Sequence, residues 1–287
     1  CDPMTDSALH WVRNFDFDGF RHDACKHIPL NYWRMLTHKL KSEMPNREMW
    51  QIGETYGSVE LIGSYVKTGM IDSQFDFNLY HTSRDVIVDE TRSMEDIAKV
   101  VEESEAAYGS HHTMGNITGN HDKPRFLSLA GGDMPLWGID DKAEGWKREV
   151  GVGDNEKGYA RLQLLKAIIS TVPGVPCVYQ GDEYGVPGAN DPDNRDMMEF
   201  EGYNDYQQKE LAATKALFKY RRESMPLMYG DYRTLYADDD VYVFLRHYMG
   251  EWNVVALNIR AEARVAEVEL PEFIELTTAN VALAVEG

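Results

Sequence analysis

The sequence lacks any long, uninterrupted apolar run. None of its segments approaches the about 18 consecutive apolar residues that a membrane-spanning helix needs, so we predict no membrane span. Cysteine is also scarce. Cys1, Cys25 and Cys177 are the only three, and their spacing matches neither a metal-binding nor a redox motif. Cysteine usage therefore does not distinguish a cytoplasmic from an extracytoplasmic protein.

Positive charge is in short supply as well. The chain has 29 Lys and Arg residues against 48 Asp and Glu residues, which gives a formal net charge of -19. This excess of negative charge repels phosphate backbones and anionic membranes, so we expect no nucleic-acid partner. A neutral substrate, such as a sugar, meets no such repulsion.

The start of the chain lacks the usual features of a protein N-terminus. There is no initiator methionine and no signal-peptide pattern. The opening stretch CDPMTDSALHWVRNFDFDGF is typical of the middle of a domain, where a helix docks before a strand. We expect the chain to be the C-terminal part of something longer.

Hydrophobic residues make up 43% of the sequence, enough for a sizeable core, and they alternate between strand-like and helix-like spacing. Strands are predicted at 17–23, 49–54, 70–77, 114–122 and 175–180. Helices are predicted at 31–43, 58–66, 93–107 and 157–170, with a long polar loop at 130–156. Ser93 and Asp96 predict a capping box at the third of these helices. The alternation predicts a parallel sheet with crossover helices.

A different pattern begins near residue 228. Strands are predicted at 231–233, 241–246, 252–257 and 264–270, with turn clusters between them. They predict a small antiparallel β domain of roughly sixty residues. The triple Asp at 238–240 is predicted to be a hairpin turn rather than a calcium loop. We therefore divide the chain into residues 1–225 and 226–287.

Two carboxylates stand at the ends of adjacent predicted strands. Asp23 ends the first strand, and Glu54 ends the second, about one αβ unit later. Arg21 shares a strand face with Asp23, so it can hold Asp23 ionised. One ionised and one protonated carboxyl are what retaining glycoside hydrolysis needs. Alone, a strand-end Asp is more often a helix cap or a salt-bridge partner.

The tripeptide Asn120-His121-Asp122 ends the fourth predicted strand. A carboxylate and a neutral imidazole there could bind sugar hydroxyls and support an oxocarbenium-like charge. As a lone tripeptide the motif is weak. The tripeptide becomes informative together with Asp23 and Glu54, because charged groups then stand at consecutive strand ends on one face of an αβ repeat.

Several segments resemble the signature segments of glycoside hydrolase family 13, the α-amylase family. In the family's order, they are Gly19–His27, Gly53–Glu54 and Gly119–Asp122. Pro173–Gly185 resembles the eighth-strand segment, and Asp193–Met198 resembles a stretch that follows it. The resemblance covers roughly residues 8–225.

By position, the resemblance implies Asp23 as the nucleophile, Glu54 as the general acid/base and Asp122 as the transition-state stabiliser. The further substrate-binding residues that it implies are Arg21, which orients the nucleophile, His121 in the cleaved subsite, and Lys26 and His27 on the acceptor side. It also implies that calcium could bind the backbone carbonyl of His27. It implies no organic cofactor.

The implied activity is that of a retaining α-glycoside hydrolase. Its partner would be an oligosaccharide or polysaccharide of α-1,4-linked glucose, such as a maltodextrin or starch, cleaved through a covalent glycosyl-enzyme intermediate. Three alternatives stay open: a transglycosidase, an α-1,6-acting relative, and a non-catalytic amylase-like scaffold.

The implied fold is a (β/α)8 TIM barrel followed by a small antiparallel β-sandwich domain. Strands 4–8 of the barrel would lie in this chain, because the family's first signature segment has no match before Gly19. Strands 1–3 are then expected from an upstream segment of the same protein or from a second chain. Without them, we expect the 287 residues to be inactive.

Overall fold

The structure is a computed structural model that describes residues 2–274 and 280–284. Its strands are β1 (Gly19–His22), β2 (Trp50–Gly53), β3 (Ser73–Gln74), β4 (Gly115–Ile117), β5 (Val175–Cys177), β6 (Asp231–Ala237), β7 (Val241–Tyr248) and β8 (Glu251–Asn258). Its α-helices are α1 (Asp2–Asn14), α2 (Leu30–Glu43), α3 (Val59–Ser64), α4 (Phe77–Arg84), α5 (Met94–Tyr108), α6 (Phe126–Gly131), α7 (Asp141–Lys147), α8 (Asn155–Thr171), α9 (Asp205–Glu223) and α10 (Met225–Tyr229). Among the described residues, no helix has both the length and the apolar character to cross a bilayer.

The first five strands run parallel and follow one another across the sheet in chain order. β1, β2 and β3 pair in that order, and β4 pairs with β5. A parallel bridge between Phe75 and Gly115 joins the two groups. All five carboxyl ends therefore meet at one edge. The predicted strands are confirmed but are shorter than expected, and the one predicted at 70–77 contracts to Ser73–Gln74.

The helices predicted between these strands are confirmed, and the structure adds others. Ser93 and Asp96 form the predicted capping box, with the Ser93 amide donating to the Asp96 carboxylate at 3.0 Å. The prediction that residues 130–156 form one long polar loop is wrong, because α7 lies within it. This short helix begins where the Asp140 carboxylate accepts the Ala143 amide at 3.1 Å, a local cap with little apolar periodicity around it.

The β3–β4 connection also differs from the prediction. The stretch predicted to continue as a strand to Phe77 turns instead into α4, where the Asp76 carboxylate accepts the Leu79 amide at 3.0 Å. A π-helical turn at Asp85–Asp89 extends this helix. The helix α9, the longest described, was likewise not predicted from the sequence.

The main core lies between the parallel sheet and the helices behind it. Its buried side chains come chiefly from α4, α5, α6 and α8, and a second cluster packs α1 and α2 against β1. Tyr242, Phe244 and Leu257, from β7 and β8, belong to the main core as well. The C-terminal sheet therefore packs directly against helices of the parallel-sheet segment.

The C-terminal strands form one antiparallel sheet in the order β6-β7-β8. Asp238 forms the predicted hairpin turn, and its carboxylate accepts the amides of Asp240 and Val241 at 2.9 and 2.7 Å. The fourth predicted strand, 264–270, is wrong, because this segment is irregular and Val265 projects into solvent. In the described residues the layer facing this sheet is helical, so the second sheet of a sandwich stays a prediction.

Candidate active site

Asp23 and Glu54 lie side by side at the carboxyl edge of the parallel sheet. The pairing of β1 with β2 aligns His22 with Gly53, so the next residue of each strand reaches the edge together. The Glu54 amide donates to the His22 carbonyl at 2.9 Å, and the Cys25 amide donates to the Glu54 carbonyl at 2.8 Å. These backbone bonds fix both residues where the strands end.

Arg21 joins the two carboxylates. Its Nη1 donates to Oδ1 of Asp23 at 2.6 Å, and its Nη2 donates to Oε2 of Glu54 at 2.7 Å. The prediction that Arg21 would lie beside Asp23 is confirmed. The second bond was not predicted, because it depends on the register between β1 and β2. The two carboxylates differ in exposure: 71% of the Asp23 side chain is accessible, against 8% of Glu54.

Their environments move the two pKa values in opposite directions. The hydrogen bond and charge of Arg21 lower the pKa of Asp23. Burial raises the pKa of Glu54, and the neighbouring Asp23 carboxylate adds to the rise while Arg21 opposes it. A group held ionised thus lies beside a group that retains its proton to higher pH.

Asp122 lies on the loop that follows β4, and side chains of the segment after β5 hold this loop in place. The Arg195 guanidinium donates to the His121 carbonyl at 3.2 Å and lies 3.4 Å from the Asp122 carboxylate. The side-chain amide of Asn194 donates to the Lys123 carbonyl at 2.8 Å. The segment after β5 therefore sets the position of Asp122. The family resemblance included the segment Asp193–Met198, but it did not predict the contacts of this segment with the loop after β4.

The loop after β4 lies beside the end of β2, because the Lys123 ammonium is 5.0 Å from the centroid of the Tyr56 ring. His121 is close enough to Asp23 for its imidazolium form to lower the pKa of that carboxyl. Burial raises the pKa of Tyr56 to about 12, and the carboxylates of Glu54 and Asp122 both add to the rise. Tyr56 follows β2 and stacks on the buried Phe77 ring at 3.9 Å between centroids, so core packing describes these two rings better than sugar stacking.

Lys26 and His27 follow Asp23 on a short 3-10 turn and are exposed. The Lys26 ammonium donates to the Tyr56 carbonyl at 3.3 Å, which places it across the loops after β1 and β2. No cluster of three or more His, Cys, Asp or Glu side chains suited to a metal occurs in residues 2–274 or 280–284. A calcium ion at the His27 carbonyl stays a prediction.

A second arginine–carboxylate pair, not predicted from the sequence, lies in the segments that follow β4 and β5. The Arg125 guanidinium donates to Asp182 at 3.0 Å, and the Thr118 hydroxyl donates to the other Asp182 oxygen at 2.5 Å. The guanidinium also lies 4.2 Å from the centroid of the Tyr179 ring. Only 1% of the Arg125 side chain and 2% of the Asp182 side chain are accessible, so this pair is closed to a substrate.

Comparison with known proteins identifies the family. The model of the α-amylase catalytic domain matches residues 2–258. The chain belongs to the α-amylase family. The resemblance seen in the signature segments is thereby confirmed, and the parallel strands are a fragment of a (β/α)8 barrel. This family member also carries a C-terminal β-sheet.

The relatives span a range of α-glucan enzymes. The cyclomaltodextrinase of Thermoanaerobacter pseudethanolicus is 27% identical over 265 residues, which cover 91% of this chain and 41% of the relative. The cyclomaltodextrin glucanotransferase of Paenibacillus macerans is 25% identical over 258 residues, covering 89% and 32%. The α-amylase of Geobacillus thermoleovorans, solved with acarbose, superposes with a TM-score of 0.73 at 27% identity, covering 90% and 52%. The chain thus spans about a third to a half of the length of these relatives.

Proposed function

We propose that the polypeptide carrying this chain is a retaining hydrolase of α-1,4-linked glucans such as maltodextrins and starch. The observation that carries the proposal is the Arg21 bridge, which joins an exposed, ionised Asp23 to a buried Glu54 with a raised pKa. Retaining glycosidases need this division between nucleophile and acid. The α-amylases and cyclomaltodextrinases among the relatives support the substrate class.

In the first half of the proposed reaction, Glu54 donates its proton to the glycosidic oxygen, and the bond from that oxygen to the anomeric carbon breaks. An oxygen of Asp23 attacks the anomeric carbon and forms a glycosyl ester. A single guanidinium bonds both carboxylates and so holds them close together. Closeness of this kind favours the roughly 5–5.5 Å separation of retaining enzymes over the wider gap of inverting ones.

Asp122 is proposed to stabilise the positive charge that develops on the sugar between bond breaking and bond making. Arg195 keeps this carboxylate in place, and His121 is proposed to bind a hydroxyl of the same glucose unit. Lys26 and His27, beside the loop after β2, are proposed to line the acceptor side. Electrostatic stabilisation of this kind needs fixed groups, which the backbone bonds around Asp122 provide.

In the second half, Glu54 is ionised after giving up its proton and takes a proton from an incoming water. The water oxygen bonds to the anomeric carbon, and Asp23 leaves as a carboxylate. A sugar hydroxyl can replace the water, and the product is then a transferred glucan. The glucanotransferases among the relatives make such transfer the second candidate activity. Chromatography of the products, longer than the starting oligosaccharide or only shorter, separates the two.

The organisation of the chain belongs to the same proposal. Residues 1–225 would supply strands 4–8 of the barrel, and residues 226–287 a C-terminal β domain with a sandwich architecture. Strands 1–3 would come from an upstream segment or a second chain. Calcium would bind the backbone carbonyl of His27, although the described residues offer no acidic cluster beside it, and no step above depends on it.

The proposal is tested by incubating maltooligosaccharides with the polypeptide that carries this chain together with strands 1–3. We expect new reducing ends from the parent protein and none from Asp23→Ala. Asp16→Asn is the matched control, because Asp16 is an exposed carboxylate that pairs with Arg47 before β1 begins. A parent protein that releases no reducing ends, or an Asp23→Ala variant that releases them at the parent rate, would contradict the proposal and favour a non-catalytic scaffold.

A further inference from the structure

The rim of the candidate active site carries exposed apolar side chains that its chemistry does not use. Trp146, on α7, is 77% accessible, and Met197 and Phe200 are exposed on the segment after β5. We call these three residues the rim patch. The Arg148–Asp196 ion pair, at 2.7 Å, links the end of α7 to the residue before Met197. An exposed apolar patch beside a polar cleft is typical of a surface that contacts a ligand.

The helix that carries Trp146 is firmly held. Gly145 packs so closely on the segment after β5 that an added Cβ would lie 2.2 Å from the Asn190 carbonyl oxygen. One turn earlier on the same helical face, the Asp141 carboxylate accepts the Asn190 side-chain amide at 2.8 Å. Trp146 lies next to this packed face and projects into solvent. A ring on a fixed backbone loses little conformational entropy when it binds a ligand.

The segment that holds α7 also holds Asp122. The Asn190 side-chain amide donates to the Asp122 carbonyl at 3.2 Å as well as to Asp141. Arg195, five residues later, lies 3.4 Å from the Asp122 carboxylate. The rim patch is therefore continuous with the loop proposed to grip the sugar. A chain that occupies the cleft and extends past Asp122 on this side would meet Trp146.

The chemistry around the ring favours a neutral sugar. Lys142 and the Glu144–Lys147 ion pair, at 2.7 Å, are neighbours of Trp146 on α7 and carry charges of both signs. A glucose ring has an apolar face for stacking and equatorial hydroxyls for such groups. An anionic polymer would be repelled by the net charge of -19. A protein partner would favour a wider apolar surface.

We infer that Trp146 is a stacking platform for a glucose unit remote from the bond that is cleaved, so that the rim patch extends the cleft for long α-glucans. This inference rests on the proposed function, because it needs an α-glucan in the cleft.

Calorimetric titration with maltoheptaose and with maltotriose tests the inference, and every protein titrated carries Asp23→Ala so that neither sugar is cleaved. We expect Trp146→Ala to weaken maltoheptaose binding by roughly tenfold and maltotriose binding by less than about twofold. Trp146→Phe keeps a ring and should restore most of the affinity. Trp137→Ala is the matched control, because Trp137 is an exposed ring of the same loop that Arg84 covers at 5.2 Å, and it should change neither affinity.

The outcomes are distinguishable. An Asp23→Ala protein that binds maltoheptaose no more tightly than the Asp23→Ala, Trp146→Ala double variant does would overturn the inference and leave the proposed function standing. Equal weakening for both sugars would also overturn it, because the platform would not be remote. Unchanged sugar affinity with loss of self-association in light scattering would assign the patch to an interface between copies. Parent protein that neither binds nor cleaves any maltooligosaccharide would overturn the proposed function as well.

Discussion

Two arginine–carboxylate networks stand at the carboxyl ends of different strand pairs. Arg21 joins Asp23 and Glu54 at β1 and β2, where Asp23 is 71% accessible. Arg125 joins Asp182 in the segments that follow β4 and β5, where both side chains are almost inaccessible. Both arginines make short, charge-assisted hydrogen bonds, so bond geometry does not separate the two networks. They differ in access of solvent, which reaches Asp23 but not Asp182.

The difference teaches that burial decides what a charge pair does. An exposed pair is screened by water and contributes little to stability, so its carboxylate can change partners during a reaction. A buried pair that loses one member leaves an uncompensated charge, which costs about 3–5 kcal/mol. We therefore assign reactivity to the Arg21 network and stability to the Arg125 network. Both assignments are testable.

The largest expected effect is the loss of catalytic rate when Asp23 is removed from the Arg21 network. Asp23→Ala should lower kcat by roughly 10⁴-fold or more, because no covalent intermediate can form. Its free energy of unfolding should stay close to that of the parent, because the side chain is exposed. Initial rates on maltoheptaose and urea denaturation check the two halves. A variant that unfolds easily but keeps its rate when folded would reverse the comparison.

Removal of the buried carboxylate is expected to have the next largest effect. Asp182→Ala should lower the free energy of unfolding by about 3–5 kcal/mol, since it strands Arg125 and the Thr118 hydroxyl. Urea denaturation of parent and variant gives this value. The double variant Arg125→Met, Asp182→Leu is the control, because it removes both charges and should recover much of the loss. An Asp182→Ala protein as stable as the parent would break the comparison.

The smallest expected effect is a shift of the pH profile of kcat/KM when Arg21 is replaced. Asp23 must be ionised and Glu54 protonated, so activity should fall at low pH through the pKa of Asp23 and at high pH through the pKa of Glu54. Arg21 lowers both values. Arg21→Gln should therefore move both limbs of the kcat/KM profile to higher pH. A profile that keeps its position while the rate falls would assign Arg21 a purely steric role.

The sequence was sufficient for the parts of the site that local patterns determine. The αβ alternation predicted that Asp23 and Glu54 end neighbouring strands, and the signature segments predicted the family. The Arg21–Glu54 bond and the Arg125–Asp182 pair were not predicted, because they join residues that are distant in sequence and depend on strand register. No hydrophobic periodicity marks such contacts.

Prediction failed where tertiary packing overrides local preference. Residues 264–270 alternate like a strand, yet they find no pairing partner among the described residues and stay irregular. The polar stretch at 130–156 has little periodicity, yet its Asp140 cap and the close packing of Gly145 produce α7. The rim patch was missed for the same reason, because Trp146 becomes noteworthy only when the helix is placed beside Asp122.

The central claim is that Asp23 forms the covalent bond to the sugar, and mass spectrometry of a trapped intermediate tests it most directly. A fluorinated α-glucosyl fluoride, whose ring fluorine slows hydrolysis of the ester, should label the polypeptide with one glycosyl group. The account predicts that peptide mapping finds this mass on Asp23 and that Asp23→Ala takes up none. A glycosyl group on any other residue, or turnover through an unlabelled enzyme with inversion at the anomeric carbon, would contradict it.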